Sequence, residues 1–249
     1  MKKSVLLAAW PLVLAIAAMA EEGHHWSYSG GTGPGHWSAM EKDFEACGIG
    51  RNQSPIDIQT QAVRRGPLPA IAFDYKPSPL KIIDNGHTIQ VNYAPGSTIT
   101  INGAKYELKQ FHFHKPSEEK IDGKQSDMVA HLVHKDANGK VAVVAVLLSK
   151  GAENPLIATL WKNVPKEKGH EAEVAAVTVD VNQLLPKDRG YYTFEGSLTT
   201  PPCSEGVRWF VLKSTTTVSA AEVSQFGKVY SMNARPTQPL NGREITATQ

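Results

Sequence analysis

The chain has 249 residues, with 26 Lys+Arg against 24 Asp+Glu, nine histidines and two cysteines. Two of the basic residues, Lys2 and Lys3, belong to a leader-like segment, so the rest is formally neutral. That balance gives no electrostatic basis for nucleic acid or an anionic membrane as partner, and the length suits one large domain.

In chain order, Lys2 and Lys3 form a positive head, Val5 to Ala17 are almost wholly apolar, and Ala18-Met19-Ala20 is a small-x-small cleavage site. This pattern predicts a secretory signal over residues 1–20 and a mature domain over 21–249, periplasmic or secreted. An uncleaved anchor is the alternative, but the run is too short and wrongly flanked, and no other segment reaches eighteen apolar residues. In an exported chain, Cys47 and Cys203 predict a disulfide, with two free thiols as the alternative. The stretch through Asp57 is rich in Gly, Pro and Trp and reads as irregular but ordered.

Beyond it, short apolar runs alternate with the turn signals Asn85-Gly86, Asn102-Gly103, Asp122-Gly123 and Asn138-Gly139. Strands are expected at 71–75, 81–85, 88–93, 98–101, 105–114, 127–135, 141–149, 191–196 and 207–212. Two helices are expected, over 154–163 and over 219–230, the second opened by the capping box Ser219-Ala220-Ala221-Glu222. The fold class is α+β, dominated by β-structure.

The chemistry concentrates in Gln110-Phe111-His112-Phe113-His114 and in Val129-Ala130-His131-Leu132-Val133. Alternate strand residues share a face, so His112 and His114 project together while Phe111 and Phe113 point away. If the second run is a neighbouring strand, three imidazoles converge, and three His ligands with an open fourth position describe a catalytic zinc site. Taken alone, the motif also fits two half-buried strand histidines and an unrelated third. Three further pieces accompany it: Ser117-Glu118, the segment Ser197-Leu198-Thr199-Thr200-Pro201-Pro202-Cys203, and the turn Asn85-Gly86-His87.

With Asn52-Gln53-Ser54-Pro55-Ile56-Asp57 and the tail from Asn233 to Leu240, these motifs closely resemble the α-class carbonic anhydrases, from about Trp26 to Ile245. The leader and cysteine pair are similar to the bacterial, exported branch. The resemblance implies a large, mostly antiparallel central sheet with Zn2+ at the bottom of a conical cleft. It makes His112, His114 and His131 the metal ligands. The implied reaction is reversible hydration of carbon dioxide to bicarbonate and a proton, by zinc-hydroxide attack. Glu118 would force the Thr199 hydroxyl to donate to it, since a carboxylate only accepts, and Thr199 would then select the nucleophile. Thr200 would contact bicarbonate, and Val133, Val143, Leu198, Val207 and Trp209 would wall the carbon dioxide site while also serving as core. His87 would shuttle protons, with Tyr28, Asn85 and Gln90 on the water path. Other classes consistent with the fold are a binding module, which the intact triad opposes, and a zinc esterase.

Metal-ligating histidines pass their second ring N–H to an oriented acceptor. By resemblance, Gln110 serves His112 and the Asn233 carbonyl serves His114. The chain departs from the family at two places. Val129 stands where glutamate is common, two before His131, and Glu119 stands where histidine often follows Ser-Glu. Together these suggest an exchange in which a Glu119 oxygen lies within about 3.2 Å of His131 Nδ1. The alternative is an exposed Glu119.

Overall fold

A computed structural model describes residues 25–249; the leader expected over 1–20 lies outside the described residues. Sixteen strands form among the described residues. The first eight are β1 (Asp57–Ile58), β2 (Arg64–Arg65), β3 (Ala72–Asp74), β4 (Ser78–Asp84), β5 (Ile89–Asn92), β6 (Thr98–Ile101), β7 (Ala104–His114) and β8 (Lys120–Ile121). The others are β9 (Lys124–Gln125), β10 (Met128–Lys135), β11 (Val141–Lys150), β12 (Glu171–Val179), β13 (Tyr191–Ser197), β14 (Glu205–Leu212), β15 (Thr216–Val218) and β16 (Thr246–Ala247). Thirteen belong to one sheet whose main path runs β12-β4-β5-β7-β10-β11-β14-β13-β16-β2, and β1, β8 and β9 form a separate small one. Pairing in the large sheet is antiparallel except at β11/β14, β11/β15 and β16/β2.

The two-residue period of the strands divides them between two apolar layers. From β7 and β10, Phe111, Phe113, Met128, Ala130 and Leu132 enter one cluster with Trp161 and Phe226. This face is covered by α3 (Pro155–Lys162) and α4 (Ala220–Val229). Asn154 caps α3 by accepting from the Leu156 and Ile157 N–H groups, and Ser219 and Glu222 close the capping box of α4. Alternate residues Val129, Val143, Val207 and Trp209 enter a second cluster on the other face. β11 lies between both layers, which explains its unbroken apolar run, and each fully buried Val or Leu there contributes about 1.5–3 kcal/mol.

Among its described residues, the Gly/Pro/Trp-rich N-terminal stretch holds short helical turns, including α1 (Trp37–Met40) and α2 (Ala46–Ile49), beside a third cluster of Trp37, Cys47 and Cys203. Cys47 and Cys203 form the expected disulfide. Their separation of 156 residues corresponds to a restriction of the unfolded chain worth about 4–5 kcal/mol in the entropy model. The bridge ties the N-terminal stretch to the segment that carries Thr199 and Thr200.

Two differences from the sequence expectation matter. β12 is a full strand that pairs with β4 at the sheet edge. Its run Glu171-Ala172-Glu173-Val174-Ala175-Ala176 lacks β-branched alternation, and a register shift between Val174 and Thr178 breaks the period. β4 begins at Ser78, ahead of the expected Lys81, with Pro79 inside it.

Candidate metal centre

The site follows from the register of β7 against β10. His131 stands directly opposite His112, and Val129 opposite His114. All three imidazoles lie on the face of the second apolar cluster, and one ligand-capable atom from each falls within 4.8 Å of the other two. His114 and His131 are buried and His112 is half-buried at the floor of a cleft. On its open side the cleft is bounded by Trp26, Tyr28, Asn85, His87, Gln90, Gln110 and Thr200, around a volume of about 120 Å³. A larger hollow of about 490 Å³ uses the alternate residues Tyr191, Thr193, Glu195, Arg208 and Phe210, so it opens on the opposite face and holds no imidazole.

Each ring has its outer nitrogen occupied. His112 Nδ1 lies 2.8 Å from Gln110 Oε1, and His114 Nδ1 lies 2.7 Å from the Asn233 carbonyl. His131 Nε2 lies 2.9 Å from Glu119 Oε1. Since amide, carbonyl and carboxylate oxygens accept, these are ring N–H donations, and they leave His112 Nε2, His114 Nε2 and His131 Nδ1 as free lone pairs. Glu119, and not residue 129, lies against the outer nitrogen of His131, and the expected atom needs one correction. The acceptor meets Nε2 of His131 and not the expected Nδ1, because the Glu119 loop approaches the far end of the ring and leaves Nδ1 turned toward the other two histidines. Val129 is wholly buried in the apolar cluster, opposite Leu147. Gln110 faces Asn92 across β5 and β7, and Asn233 is held by its Nδ2 donating to the His87 and Phe113 carbonyls.

The donor set fits a zinc ion. Three neutral nitrogens face one point, and His114 Nε2 is buried with no hydrogen-bond partner, which a protein tolerates poorly unless something else takes the lone pair. The electrostatics agree. Burial, reinforced by His131, brings His112 down to about 3, and burial with both other rings holds His114 well below its ordinary 6.5. Burial also lowers His131, but Glu119 and then Glu118 outweigh it and the net direction is up.

Glu118 is fully buried 3.5 Å from His114 Nδ1, with Oε1 accepting from the Arg235 N–H at 2.8 Å. Burial pushes its carboxyl to about 7, against the pull of His131. The Thr199 hydroxyl lies near enough to restrain that rise, yet Glu118 Oε2 receives no hydrogen bond of ordinary geometry. The expected Thr199 donation is thus a juxtaposition in this structure.

The expected wall assembles in register. Val133 pairs with Val143, and Val143 with Trp209, across three adjacent strands. Val207 lies two residues from Trp209 on the same face, Leu198 packs beside them, and the Trp209 ring lies 5.0 Å from that of His131.

His87 projects from the Asn85-Gly86 turn, where Gly86 adopts φ +88° and Asn85 Oδ1 accepts from the His87 and Thr88 N–H groups. Asn85 Nδ2 donates to Gln90 Oε1 at 3.3 Å. The His87 ring stacks flat on Trp26 at 3.6 Å and lies 5.0 Å from His25. Burial, with His25 and Lys168 adding to it, lowers His87 to about 4. Tyr28 is raised well above its ordinary value by burial and by Glu118, and its hydroxyl has no partner. Sequence reasoning missed the Trp26 stack, which depends on where the N-terminal stretch folds back; Trp26 itself was the only signal.

Comparison with known proteins agrees with this geometry. The family pattern of eukaryotic-type carbonic anhydrases matches residues 32–249. A carbonic anhydrase of Pectobacterium carotovorum is 45% identical over 245 residues, covering 98% of this chain and 99% of that protein. One from Neisseria gonorrhoeae is 45% identical and covers 94% of each chain. The α-carbonic anhydrase of Thermovibrio ammonificans, solved with the inhibitor sulfanilamide, superposes with a TM-score of 0.86 at 42% identity, covering 89% of this chain and 98% of that one. This chain belongs to the eukaryotic-type, or α-class, carbonic anhydrase family.

Proposed function

We propose that the protein is an enzyme whose zinc ion is held by His112, His114 and His131 and that hydrates carbon dioxide reversibly to bicarbonate and a proton. The observation that carries this reading is the set of three imidazoles, each with one nitrogen engaged by an acceptor, whose ligand-capable atoms lie within 4.8 Å of one another. A bound zinc ion supplies Lewis acidity, which makes water a nucleophile near neutral pH. The lowered pKa values of His112 and His114 mean that neither ring must give up a proton to take the metal at pH 7.

The remaining residues position the reactants. With a dication held by the triad, Glu118 would be ionised and an acceptor only; the Thr199 hydroxyl would turn toward it and keep a lone pair for the O–H of the nucleophile. That orientation aims the nucleophile at the apolar wall of Val133, Val143, Leu198, Val207 and Trp209, where carbon dioxide binds without competing for hydrogen bonds. Thr200 at the cleft mouth contacts bicarbonate. Glu119 keeps His131 in the tautomer that offers Nδ1.

His87 relays the proton outward along the polar side of the cleft, past Tyr28, Asn85 and Gln90. A group at about 4 holds little proton at pH 7, so its contribution lies below the ~10²–10⁴-fold of a well-matched acid–base group. Burial is the largest cause of that depression, so rotation of the ring off Trp26 into water raises its proton affinity. The disulfide fits the oxidising compartment that the leader addresses, and no helix of the described residues is long and apolar enough to cross a membrane.

Three outcomes are expected. His131→Ala loses most bound zinc, read by metal analysis, and nearly all carbon dioxide hydration, read by stopped flow; full turnover in a metal-free preparation contradicts the reading. His87→Ala lowers turnover in weak buffer about 10-fold, short of the range for a matched group, and added imidazole restores it; an unchanged rate, or a loss without rescue, removes the shuttle. The third concerns pH. A histidine depressed in the fold takes up its proton first in the unfolded chain, so stability falls as pH drops below 6.5. His87, His112, His114 and His134 act in this sense. Glu118 and His131, both raised, act oppositely but are fewer. The metal-free protein should therefore melt at lower temperature at pH 4 than at pH 7, and a level or rising midpoint refutes the neutral triad.

A further inference from the structure

Glu119 reaches His131 from a loop and not from the ligand's own strand, and the loop is tied down in a particular way. Ser117 is wholly buried and its hydroxyl works twice, donating to the Glu119 carbonyl at 2.8 Å and accepting from the Ser126 N–H at 2.9 Å. Its peptide is fixed as well. The Ser117 N–H donates to the Ser126 carbonyl at 3.0 Å, and the Ser117 carbonyl accepts from Gln125 Nε2 at 2.6 Å. Just beyond Glu119, the Lys120 N–H donates to the Ile56 carbonyl at 3.2 Å, and β8 pairs with both β1 and β9.

The carboxylate itself has little else to hold it. Oε1 meets His131, whereas Oε2 is buried with no partner. Its aim therefore depends on its backbone mount. A carboxylate at position 129 would be mounted on β10, between β7 and β11, and would need no such support. Here that place is filled by Val129 within the cluster of Ile56, Ile58 and Leu147.

We propose that Ser117 is a positioning residue for the metal site: its hydroxyl fixes the Glu119 main chain, so that metal retention depends on the 117–126 loop and the small sheet rather than on the strand that carries the ligand. Removing the hydroxyl strands the Ser126 N–H and the Glu119 carbonyl inside the protein and frees the loop to move. This inference rests on the zinc reading above.

The test follows zinc release from the loaded protein into excess chelator. Ser117→Ala and Glu119→Ala should each release zinc about 10–100-fold faster than the wild type, as loss of a ligand's outer partner does. The double variant should release it no faster than Glu119→Ala alone, because both act through one contact. Gln125→Ala, at an exposed residue, gives a smaller change in the same direction and keeps the test available if Ser117→Ala folds poorly. Proton NMR of the loaded protein supplies the readout that a general loosening would not give. Exchange of the His131 ring N–H with solvent should accelerate while those of His112 and His114 stay as in the wild type. Multiplying effects in the double variant, or equal acceleration at all three rings, overturn the positioning role, as does zinc release unchanged in both Ser117→Ala and Gln125→Ala. A wild type that takes up no zinc overturns the zinc reading itself, and this inference with it.

Discussion

The antiparallel register of β7 against β10 is the constraint on which the site depends. It sets His131 opposite His112 and leaves His114 on the same face one step along. A slip by one residue would turn the histidines into the layer under α3 and α4 and bring Phe111 and Phe113 out to the cleft. The register is held from both sides: Phe111, Phe113, Ala130 and Leu132 interlock in one apolar layer, while Val129 and Val143 occupy the other. The metal centre is therefore as rigid as the core, because its ligands are strand residues of that core.

Rigid strands place the rings, and hydrogen bonds decide which nitrogen each ring offers. The three acceptors come from unrelated parts of the chain: a side chain on the same strand, a backbone carbonyl far along the chain, and a loop carboxylate. The tandem Glu118-Glu119 puts two buried carboxylates beside three imidazoles. One of the two orients His131, and the other faces Thr199. A dication held by the three rings would sit between the two carboxylates and favour their charged forms.

Much of this was legible in the residues, for reasons that differ by element. The spacing of His112 and His114 is a two-residue period, which survives any tertiary context, and the capping box at Ser219 is a local signal that needs none. The resemblance located Gln110, Asn233, Glu118 and Thr199. The two departures at Glu119 and Val129 were visible in the sequence, and they pointed to the Glu119 contact with His131. Other features were hidden. β12 is a strand only because β4 offers it an edge, and its alanines carry no such signal. The atom of His131 that Glu119 meets depends on a rotamer and on the direction of the loop's approach, neither of which a sequence encodes locally. His87 as a titratable turn residue was plain; its stack on Trp26, and the depression that comes with it, required the fold.

The account's central claim is that three imidazoles bind the metal while Glu118 and Glu119 stand behind them and touch it not at all. X-ray absorption at the zinc edge of the loaded protein reads this directly. The expected spectrum contains three imidazole nitrogens and one water-type oxygen, unchanged in Glu119→Gln apart from weaker occupancy. A carboxylate oxygen in the coordination shell, lost on that substitution, would show that Glu119 is a ligand and contradict the account.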